Sequence, residues 1–345
     1  MSAQRILITG GAGFLGRAIL RELARSPLEE VRVFDLEPVD VAGTPALVSI
    51  VGDVCDPEAL LAACRGVDVV VHAASLVDWG HSTPERLAEV NVGGSKNVVR
   101  ACREAGVRGL VYTSSMDVVC GTGPVVRADE TTPYPEVFAN EYSHSKALAE
   151  QVVLRANGPD LSVCALRPCG MFGEADPYHV VNVLRLLRDR GLPFRVGDGS
   201  AAFQHVYVGN VAHAHVLALR QLLDPGAAIA GQSYFITDDS PAVNFFDFMD
   251  PIVTGLGYSL PPKSRSIPYP VMLALGAVVE AAAAALRPIH RFTPTLTRSS
   301  VRFVCHDHTF VGDKARRDLG YVPIYSEADA IKRTIAYFQE HPVGS

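Results

Sequence analysis

The sequence predicts an α/β fold, a doubly wound parallel sheet with a smaller, discontinuous C-terminal lobe. Three observations predict it. Short apolar, β-branched runs alternate with helical segments from the N-terminus to about residue 170, which favours strand–helix–strand units. The strand-like runs, such as residues 67–71, are too apolar to leave one face in water, so helices should cover both faces of the sheet. Glycine, acidic and small residues follow these runs, at the strand ends where ligands bind in such sheets.

The first unit is a strand, a glycine turn and a helix. Residues 5–9 form the strand, Gly10, Gly13 and Gly16 form a Gly-x-x-Gly-x-x-Gly turn, and the helix should occupy 17–25. Such a turn brings backbone N–H groups and a helix N-terminus up to a pyrophosphate. The predicted pyrophosphate-binding residues are Gly10, Gly13, Phe14, Leu15 and Gly16. The whole unit is typical of a Rossmann-type dinucleotide site.

The second strand, residues 31–34, ends at Asp35, about twenty positions beyond the glycine turn. A carboxylate there accepts hydrogen bonds from the adenosine ribose hydroxyls and repels a 2′-phosphate. Because no arginine or lysine follows in residues 36–38, the charge pattern favours NAD over NADP. The third strand ends before Asp53, which is placed to meet the adenine amino group, with Val54 beside it.

The alternation continues through the first half of the chain. The expected elements are strands at 47–51, 67–71 and 110–113 and helices at 57–65, about 84–105 and about 141–156. Small residues after the fourth strand, Ala73, Ala74 and Ser75, would let the backbone lie against the cofactor.

The reaction chemistry is predicted by two side chains on one helix. Tyr142 and Lys146 are four residues apart and therefore share a helical face. A lysine ammonium beside a phenol favours the phenolate and lowers the pKa of the tyrosine, so Tyr142 is a candidate acid–base group. Ser115, at the end of the fifth strand, faces the same crevice and would hydrogen-bond the reacting oxygen.

At this point the sequence resembles the extended short-chain dehydrogenase/reductase superfamily over nearly its whole length. The matching segments are residues 9–16, 72–74, 91–94, 113–115 and the Tyr142-x-x-x-Lys146 pair. The resemblance implies Ser115, Tyr142 and Lys146 as the catalytic set, with Ser114 as the alternative serine. It also implies that Asn91 supports the active-site helix and a proton relay. Lys146, Pro168 and Cys169 are implied at the nicotinamide end of an NAD site.

Later segments resemble the 3β-hydroxysteroid dehydrogenase branch. They are residues 204–215, 234–241 and 313–321, whereas 254–294 is especially similar to sterol-4α-carboxylate 3-dehydrogenases. The resemblance implies NAD-dependent oxidation of a sterol 3β-hydroxyl, with 4α-decarboxylation or Δ5–Δ4 isomerisation as further possibilities. Asp238 and Asp239 resemble the acidic pair of steroid dehydrogenase/isomerases; an ordinary turn before Ser240 and Pro241 is the alternative.

Other functions stay open from the sequence. A reductase of long-chain 3-oxo acids and an enzyme acting on a nucleotide-sugar are alternatives within the superfamily. The second is disfavoured because residues 240–286 carry only Lys263 and Arg265 as basic residues. A non-catalytic dinucleotide-binding protein is the least favoured, because such a protein would be free to lose both Tyr142 and Lys146.

The expected division is an NAD-binding domain over 1–173, with returning elements near 203–223 and 232–237. A substrate lobe would comprise 174–202 and 240–312, and C-terminal helices 313–345. Trp79, on the loop beyond the fourth strand, is a candidate wall for a flat polycyclic substrate or a packed loop aromatic.

Composition excludes several partners. A net charge of −6 and the lack of a basic stripe argue against nucleic acid. Seven cysteines without a Cys-x-x-Cys pair indicate reduced thiols in the cytoplasm, and we expect no signal peptide and no metal site. Residues 270–286 are apolar but too short to span a bilayer, and Glu280 interrupts them; they form a lobe helix or a weak peripheral membrane contact. The resemblance implies a homodimer through helices flanking the sheet.

Overall fold

The computed structural model describes residues 4–25, 28–41, 43–44, 46–77, 82–189, 191–224, 226–286 and 296–343. The strands are β1 (Arg5–Thr9), β2 (Glu30–Asp35), β3 (Leu47–Val51), β4 (Val69–His72), β5 (Gly109–Thr113), β6 (Val125–Ala128), β7 (Ser162–Pro168), β8 (Gly170–Phe172), β9 (Arg195–Val196), β10 (His205–Tyr207), β11 (Gln232–Ile236), β12 (Ser266–Ile267) and β13 (His308–Phe310). The helices are α1 (Phe14–Leu23), α2 (Pro57–Cys64), α3 (Pro84–Leu87), α4 (Gly94–Ala105), α5 (Glu141–Leu154), α6 (His179–Asp189), α7 (Val208–Leu222), α8 (Phe245–Gly255), α9 (Tyr269–Leu286), α10 (Arg298–Cys305) and α11 (Glu327–Glu340).

Seven strands form one parallel sheet in the order β11-β7-β5-β4-β1-β2-β3. The first strand lies in the middle, with Ile6 paired to Val31 of β2 on one side and to Val69 of β4 on the other. The direction in which strands are added therefore reverses beside β1. Crevices at such reversal points, beyond the carboxyl ends of the strands, are where ligands bind.

Helices cover both faces of the sheet, as the apolar strands require. Ile6 and Ile8 belong to the core cluster that includes α1 and α7, whereas Leu7 belongs to the cluster with α2, α4 and α5. All three side chains are fully buried. Burying an aliphatic side chain of this kind contributes about 1.5–3 kcal/mol, so alternating strand residues hold both helical layers. The predicted doubly wound parallel fold is confirmed.

Several element boundaries differ from the sequence-based expectation. The first helix begins at Phe14 rather than Arg17, because Gly13 already has the extended backbone of an N-cap. The helix expected at 84–105 is interrupted by a π-helical turn, Ala88–Gly93, between α3 and α4. In the main sheet β7 ends at Pro168, and the next strand, β8, pairs instead with β10 in a separate two-stranded sheet. Of the two expected returning segments, only 232–237 adds a strand to the main sheet.

The segments beyond residue 173 are built around an aromatic cluster. Phe203 packs against Phe303 with ring centroids 4.7 Å apart, and His205 stacks on Phe248 at 3.4 Å. The short parallel pair β9 with β12 joins two of these segments, and β13 pairs with β6 from the first half of the chain. None of the described helices is both long enough and apolar enough to cross a bilayer. Trp79 lies outside the described residues.

Candidate active site

A cleft of about 520 Å³ opens at the carboxyl ends of the central strands. Most of the predicted site residues line it: Gly10, Gly13, Phe14, Leu15, Gly16, Asp35, Asp53, Val54, Ala73, Ala74, Ser75, Tyr142 and Lys146. The glycine turn and the Tyr-x-x-x-Lys pair, which are far apart in sequence, therefore face one cavity.

The glycine turn is shaped by close backbone contacts. Gly10 has a φ of +75°, and a Cβ there would lie 2.5 Å from the amide nitrogen of Ala74. A Cβ on Gly16 would lie 2.2 Å from the carbonyl oxygen of Gly10. Helix α1 starts directly after the turn with no side-chain cap and no acidic residue in its first turn. Its N–H groups and dipole are thus available to an anion such as a pyrophosphate.

Two carboxylates line the other end of the cleft. Asp35 accepts a hydrogen bond from the Ala12 amide at 2.9 Å, so it lies against the glycine turn. Asp53 accepts from the Cys55 amide at 2.9 Å and has the Arg86 guanidinium 4.0 Å away. Backbone amides hold both carboxylates in place as hydrogen-bond acceptors. Such acceptors suit the hydroxyl and amino groups of an adenosine, which are hydrogen-bond donors.

Lys146 is buried and its ammonium group is already engaged. Its Nζ donates to the Thr113 carbonyl at 2.7 Å and lies 4.5 Å from the centre of the Tyr112 ring. Burial lowers the pKa of Lys146 to about 7, while the carboxylates of Glu150 and Asp117 act in the opposite direction. The amine therefore titrates near neutral pH.

Tyr142 lies in the first turn of α5, which is capped by the Asn140 side chain accepting from the Ser143 amide at 2.9 Å. Burial raises the pKa of Tyr142, the charge of Asp117 adds to the rise, and a hydrogen bond with Ser115 opposes it. The prediction that the pKa of Tyr142 is lowered is therefore wrong for this arrangement, because burial removes water from the phenol and raises its pKa.

The two adjacent serines have different surroundings. Ser115 does not line the cleft wall as predicted but sits behind it, with its hydroxyl donating to Asp117 Oδ2 at 2.8 Å. Ser114 does line the cleft, but its hydroxyl oxygen is buried and has no hydrogen-bond partner among the described residues. Of the two serines, only Ser115 affects the pKa of the Tyr142 phenol, which it lowers.

Asn91 is buried in the π-helical turn and joins two parts of the site. Its Oδ1 accepts from the Leu76 amide at 2.8 Å, and its Nδ2 donates to the Ser145 hydroxyl at 2.9 Å. Ser145 in turn donates to the Tyr142 carbonyl. Asn91 thus fixes the loop after β4 against α5, which agrees with a supporting role for the active-site helix. Its own carbonyl accepts from the Ser95 hydroxyl at 2.6 Å.

The sequence profile of the 3-beta hydroxysteroid dehydrogenase/isomerase family matches residues 7–269. The chain belongs to this family. It is 38% identical to mouse 3 beta-hydroxysteroid dehydrogenase type 7 over 96% of this chain and 95% of that one. It is 37% identical to 3beta-hydroxysteroid-dehydrogenase/decarboxylase isoform 1 of Arabidopsis thaliana, over 96% of this chain and 79% of that one.

Solved structures share the fold of this family member. The crystal structure of gox2253 matches with a TM-score of 0.77 at 27% identity and covers 99% of this chain and all of that one. DesIV, a dTDP-glucose 4,6-dehydratase from Streptomyces venezuelae solved with NAD and TYD, matches with a TM-score of 0.71 at 24% identity, covering 98% and 97%. The resemblance to extended short-chain dehydrogenases is confirmed.

Two of the residues predicted to bind the cofactor, Pro168 and Cys169, do not line the cleft. Pro168 ends β7, and Cys169 is buried with its amide donating to the Ile236 carbonyl at 3.2 Å. Met171 and Tyr178 line the cleft instead. The chain leaves the main sheet after Pro168, which rotates the following residues away from the expected positions.

Sequence reasoning missed Tyr178, although a capping signal precedes it. The carboxylate of Asp176 is fully buried and accepts from the Tyr178 amide at 2.7 Å and the His179 amide at 3.1 Å, which fixes the start of α6. Burial and the charge of Asp176 raise the pKa of Tyr178 to about 12. Asp176 followed by Pro177 is a recognisable start of a helix.

The acidic pair Asp238 and Asp239 is absent from the cleft lining. Asp238 accepts from the Tyr207 amide and from Asn210 Nδ2, both at 2.8 Å, whereas Asp239 is exposed and pairs with Arg316. Asp238 therefore holds the end of β11 against the start of α7, and the alternative of a structural turn describes the pair better.

The described residues show neither a disulfide bond nor a candidate metal site. All seven cysteines are free thiols, five of them buried. No group of three or more potential ligands in the described part of the chain could hold a metal ion.

Proposed function

We propose that this protein oxidises the 3β-hydroxyl of a steroid or sterol to the 3-ketone with NAD as hydride acceptor. The observation that carries the proposal is that Tyr142 and Lys146 line the same cleft as the glycine turn in a member of the 3-beta hydroxysteroid dehydrogenase/isomerase family. The named activity of the mouse relative, 3 beta-hydroxysteroid dehydrogenase, supports the same chemistry.

The residues present fit NAD. The uncapped N-terminus of α1 would hold the pyrophosphate, Asp35 the adenosine ribose and Asp53 the adenine. Residues 36–38, Leu-Glu-Pro, offer no positive charge to a 2′-phosphate. Bound NAD supplies a nicotinamide ring that accepts hydride.

The chain's own residues would accept the substrate proton and orient the substrate and the cofactor. Tyr142, in its phenolate form, would take the proton of the substrate hydroxyl, and Ser115, which lowers the pKa of the phenol, would favour that form. Lys146, titrating near neutral pH, orients the nicotinamide ribose and adds positive charge beside the reacting oxygen. Asn91 positions α5 and therefore Tyr142.

Decarboxylation would need no further protein group. A sterol with a 4α-carboxylate becomes a β-keto acid when its 3-hydroxyl is oxidised, and such an acid loses CO₂ unaided. The name of the Arabidopsis relative includes decarboxylase activity. A Δ5–Δ4 isomerisation through Asp238 or Asp239 is not part of the proposal, because neither side chain lines the cleft.

We propose that the steroid skeleton lies under the described parts of the lobe, residues 174–189, 191–202, 240–286 and 296–312, with Met171 and Tyr178 as the wall beside the reacting carbon. Helix α9 in this lobe exposes Val271, Leu275 and Val278 on one side, while Glu280 faces α10 and pairs with Arg298. This apolar side would give a weak peripheral contact with a membrane holding the substrate. A homodimer through α4 and α5 and a cytoplasmic location complete the proposal.

The test is an assay of the purified protein with NAD and a panel of possible substrates, followed by mass analysis of the products. The panel contains neutral 3β-hydroxysteroids, 4α-carboxysterols, a long-chain 3-hydroxy acid and a nucleotide-sugar. We expect NADH formation with 3β-hydroxysterols alone, and a further loss of CO₂ with the carboxysterols. Turnover of the acid or the nucleotide-sugar without turnover of any sterol would refute the substrate class.

A further inference from the structure

Arg17, in the first turn of α1, is partly buried and lines the cleft. Its side chain turns back towards the glycine turn, and its Nε donates to the Ala12 carbonyl at 2.8 Å. The Ala12 amide in turn donates to Asp35 Oδ2 at 2.9 Å. A guanidinium and the carboxylate proposed to hold the adenosine ribose therefore bind the two polar groups of one residue.

The separation of these two charged groups leaves space for a ligand. Arg17 and Asp35 do not form an ion pair within 4.0 Å, and the connection between them runs through Ala12. Because one residue spans at most about 3.8 Å, the two hydrogen bonds keep Arg17 Nε within about 10 Å of the Asp35 carboxylate. A gap of this size admits a phosphate group carried by the ribose that Asp35 would hold.

The charge of Arg17 is also the least compensated in the cleft. Three cationic side chains line the cleft: Arg17, Arg86 and Lys146. Arg86 has the Glu89 carboxylate at 2.8 Å and the Asp53 carboxylate at 4.0 Å, whereas Lys146 is buried at the Thr113 carbonyl. In the part of the chain that the structure describes, no carboxylate lies within ion-pair distance of Arg17, and its side chain bonds a neutral carbonyl. The outer nitrogens of such a guanidinium suit the two-pronged binding of a phosphate.

We propose that Arg17 binds the 2′-phosphate of NADP and so makes NADP a second, weaker ligand of the site. The inference rests on the proposed NAD site and adds a subsite that residues 36–38 do not supply. Asp35 and Glu37 both line the cleft and repel a phosphate, which keeps NAD the preferred cofactor. Arg17 offsets part of that repulsion, and the uncapped N-terminus of α1 adds positive potential. The preference for NAD is then a balance between these carboxylates and Arg17.

Direct binding measurements test the subsite without any sterol. NADH and NADPH are titrated into the purified protein by fluorescence, with 5′-ADP and 2′,5′-ADP as competitors. Arg17→Gln keeps an N–H donor at the position of Nε but has no charge. We expect its affinity for NADPH to fall about 10- to 100-fold, the size of a lost charged hydrogen bond, and its affinity for NADH to change less than about threefold. Competition by 2′,5′-ADP should weaken with NADPH, and competition by 5′-ADP should not.

Arg21→Gln is the matched control. Arg21 lies one turn further along α1, is exposed and does not line the cleft, so this variant loses the same charge from the same helix. Its ratio of NADPH to NADH affinity should stay at the wild-type value. Arg17→Lys restores a positive charge and should bind NADPH more tightly than Arg17→Gln. Added NaCl should weaken NADPH binding more than NADH binding in the wild type, and this difference should vanish in Arg17→Gln.

The Asp35→Ser background decides the matter if the wild-type protein binds NADPH too weakly to measure. Removing the repulsive carboxylate should raise the affinity for NADPH relative to NADH. Adding Arg17→Gln should then lower the NADPH affinity at least about 10-fold while NADH affinity stays near that of Asp35→Ser alone.

Two results would overturn the inference. Equal losses of NADH and NADPH affinity in Arg17→Gln would show that the guanidinium acts on the pyrophosphate instead. NADPH affinity unchanged by Arg17→Gln, in the wild-type and the Asp35→Ser backgrounds, would exclude Arg17 from binding the phosphate. A wild-type protein that binds neither cofactor refutes the proposed NAD site and the inference with it. A protein that shows the expected binding but oxidises no sterol supports the subsite and refutes the proposed reaction.

Discussion

The buried ion pair between Glu150 and Arg167 allows the most quantitative prediction. Arg167 Nε and Nη2 donate to the two carboxylate oxygens of Glu150 at 2.9 and 2.7 Å, and the Tyr134 hydroxyl donates to the same carboxylate at 2.7 Å. The side chains are 4% and 0% exposed. Glu150→Gln would leave a guanidinium buried without its countercharge, which costs about 3–5 kcal/mol. We therefore expect the free energy of unfolding to fall by about that amount in urea or thermal denaturation.

A matched control and a double variant test the reasoning behind that number. Glu104→Gln removes an exposed ion pair with Arg100, 3.5 Å long, and should cost less than about 1 kcal/mol. Replacing both buried partners, Glu150→Leu with Arg167→Met, removes the uncompensated charge and should cost less than Glu150→Gln alone. A Glu150→Gln protein destabilised by under 1 kcal/mol, or a double variant at least as unstable as the single one, would refute the argument.

The same substitution has a predicted effect on the reaction. Glu150 lies one turn beyond Lys146 on α5, and its charge raises the pKa of the lysine against the larger effect of burial. Without it the pKa of Lys146 falls below its present value of about 7. If the ammonium form is the active one, the alkaline limb of kcat in Glu150→Gln moves to lower pH; an unmoved limb would exclude that requirement.

Three further substitutions test other parts of the account. Asp35→Ser removes the carboxylate that would hold the adenosine ribose. Because a charged hydrogen bond contributes about 1.5–3 kcal/mol, NAD should bind roughly 10- to 100-fold more weakly, with a relative gain for NADP. Fluorescence titration with both reduced cofactors measures the two affinities, and an unchanged preference for NAD would contradict the assignment. Gly16→Ala would place a Cβ 2.2 Å from a backbone oxygen, so its affinity for NAD should fall at least about 10-fold. Gly123 has open space around it, so Gly123→Ala should bind NAD with wild-type affinity. Equal affinity of both variants for NAD would refute the steric argument. Burial raises the pKa of Asp238 to about 7, so between about pH 4 and pH 7 the unfolded chain binds fewer protons than the native one, and the free energy of unfolding falls as pH rises. Asp238→Asn should flatten this dependence of the unfolding free energy on pH, measured by urea denaturation at several pH values. If the variant keeps the same dependence, other groups cause it.

The fold was predictable because its signals are local. Strands such as 5–9 and 69–72 are short apolar runs. The three glycines of the turn indicate directly that the backbone there is tightly turned and closely packed. The positions of Gly10, Asp35 and Tyr142 in one cleft then follow from the parallel sheet, because strand ends and the turns after them meet at one edge.

The parts that could not be predicted depend on packing between distant segments. The chain leaves the main sheet after Pro168, which turns Cys169 away from the cleft and brings in Met171 and Tyr178. That departure is set by the pairing of β8 with β10, more than thirty residues further along the chain. A spacing rule carried over from a family motif contains no information about it.

Electrostatic properties were the least predictable. The spacing of Tyr142 and Lys146 predicts that the two share a helical face, but the pKa of Tyr142 depends on how completely the phenol is removed from water. Asp117 escaped notice because a single acid two residues after a serine has no distinctive pattern. Its 2.8 Å contact with Ser115 is formed only in the folded chain.

The central claim is that hydride leaves C3 of a sterol for NAD while Tyr142 manages the hydroxyl proton. Its most direct test uses a 3β-hydroxysterol carrying deuterium at C3, with wild-type protein and Tyr142→Phe under single-turnover conditions. The account predicts that deuterium appears in the reduced cofactor with wild-type protein, and that Tyr142→Phe binds NAD with wild-type affinity but transfers deuterium at least about 100-fold more slowly. Reduced cofactor free of deuterium, or full activity of Tyr142→Phe, would contradict it.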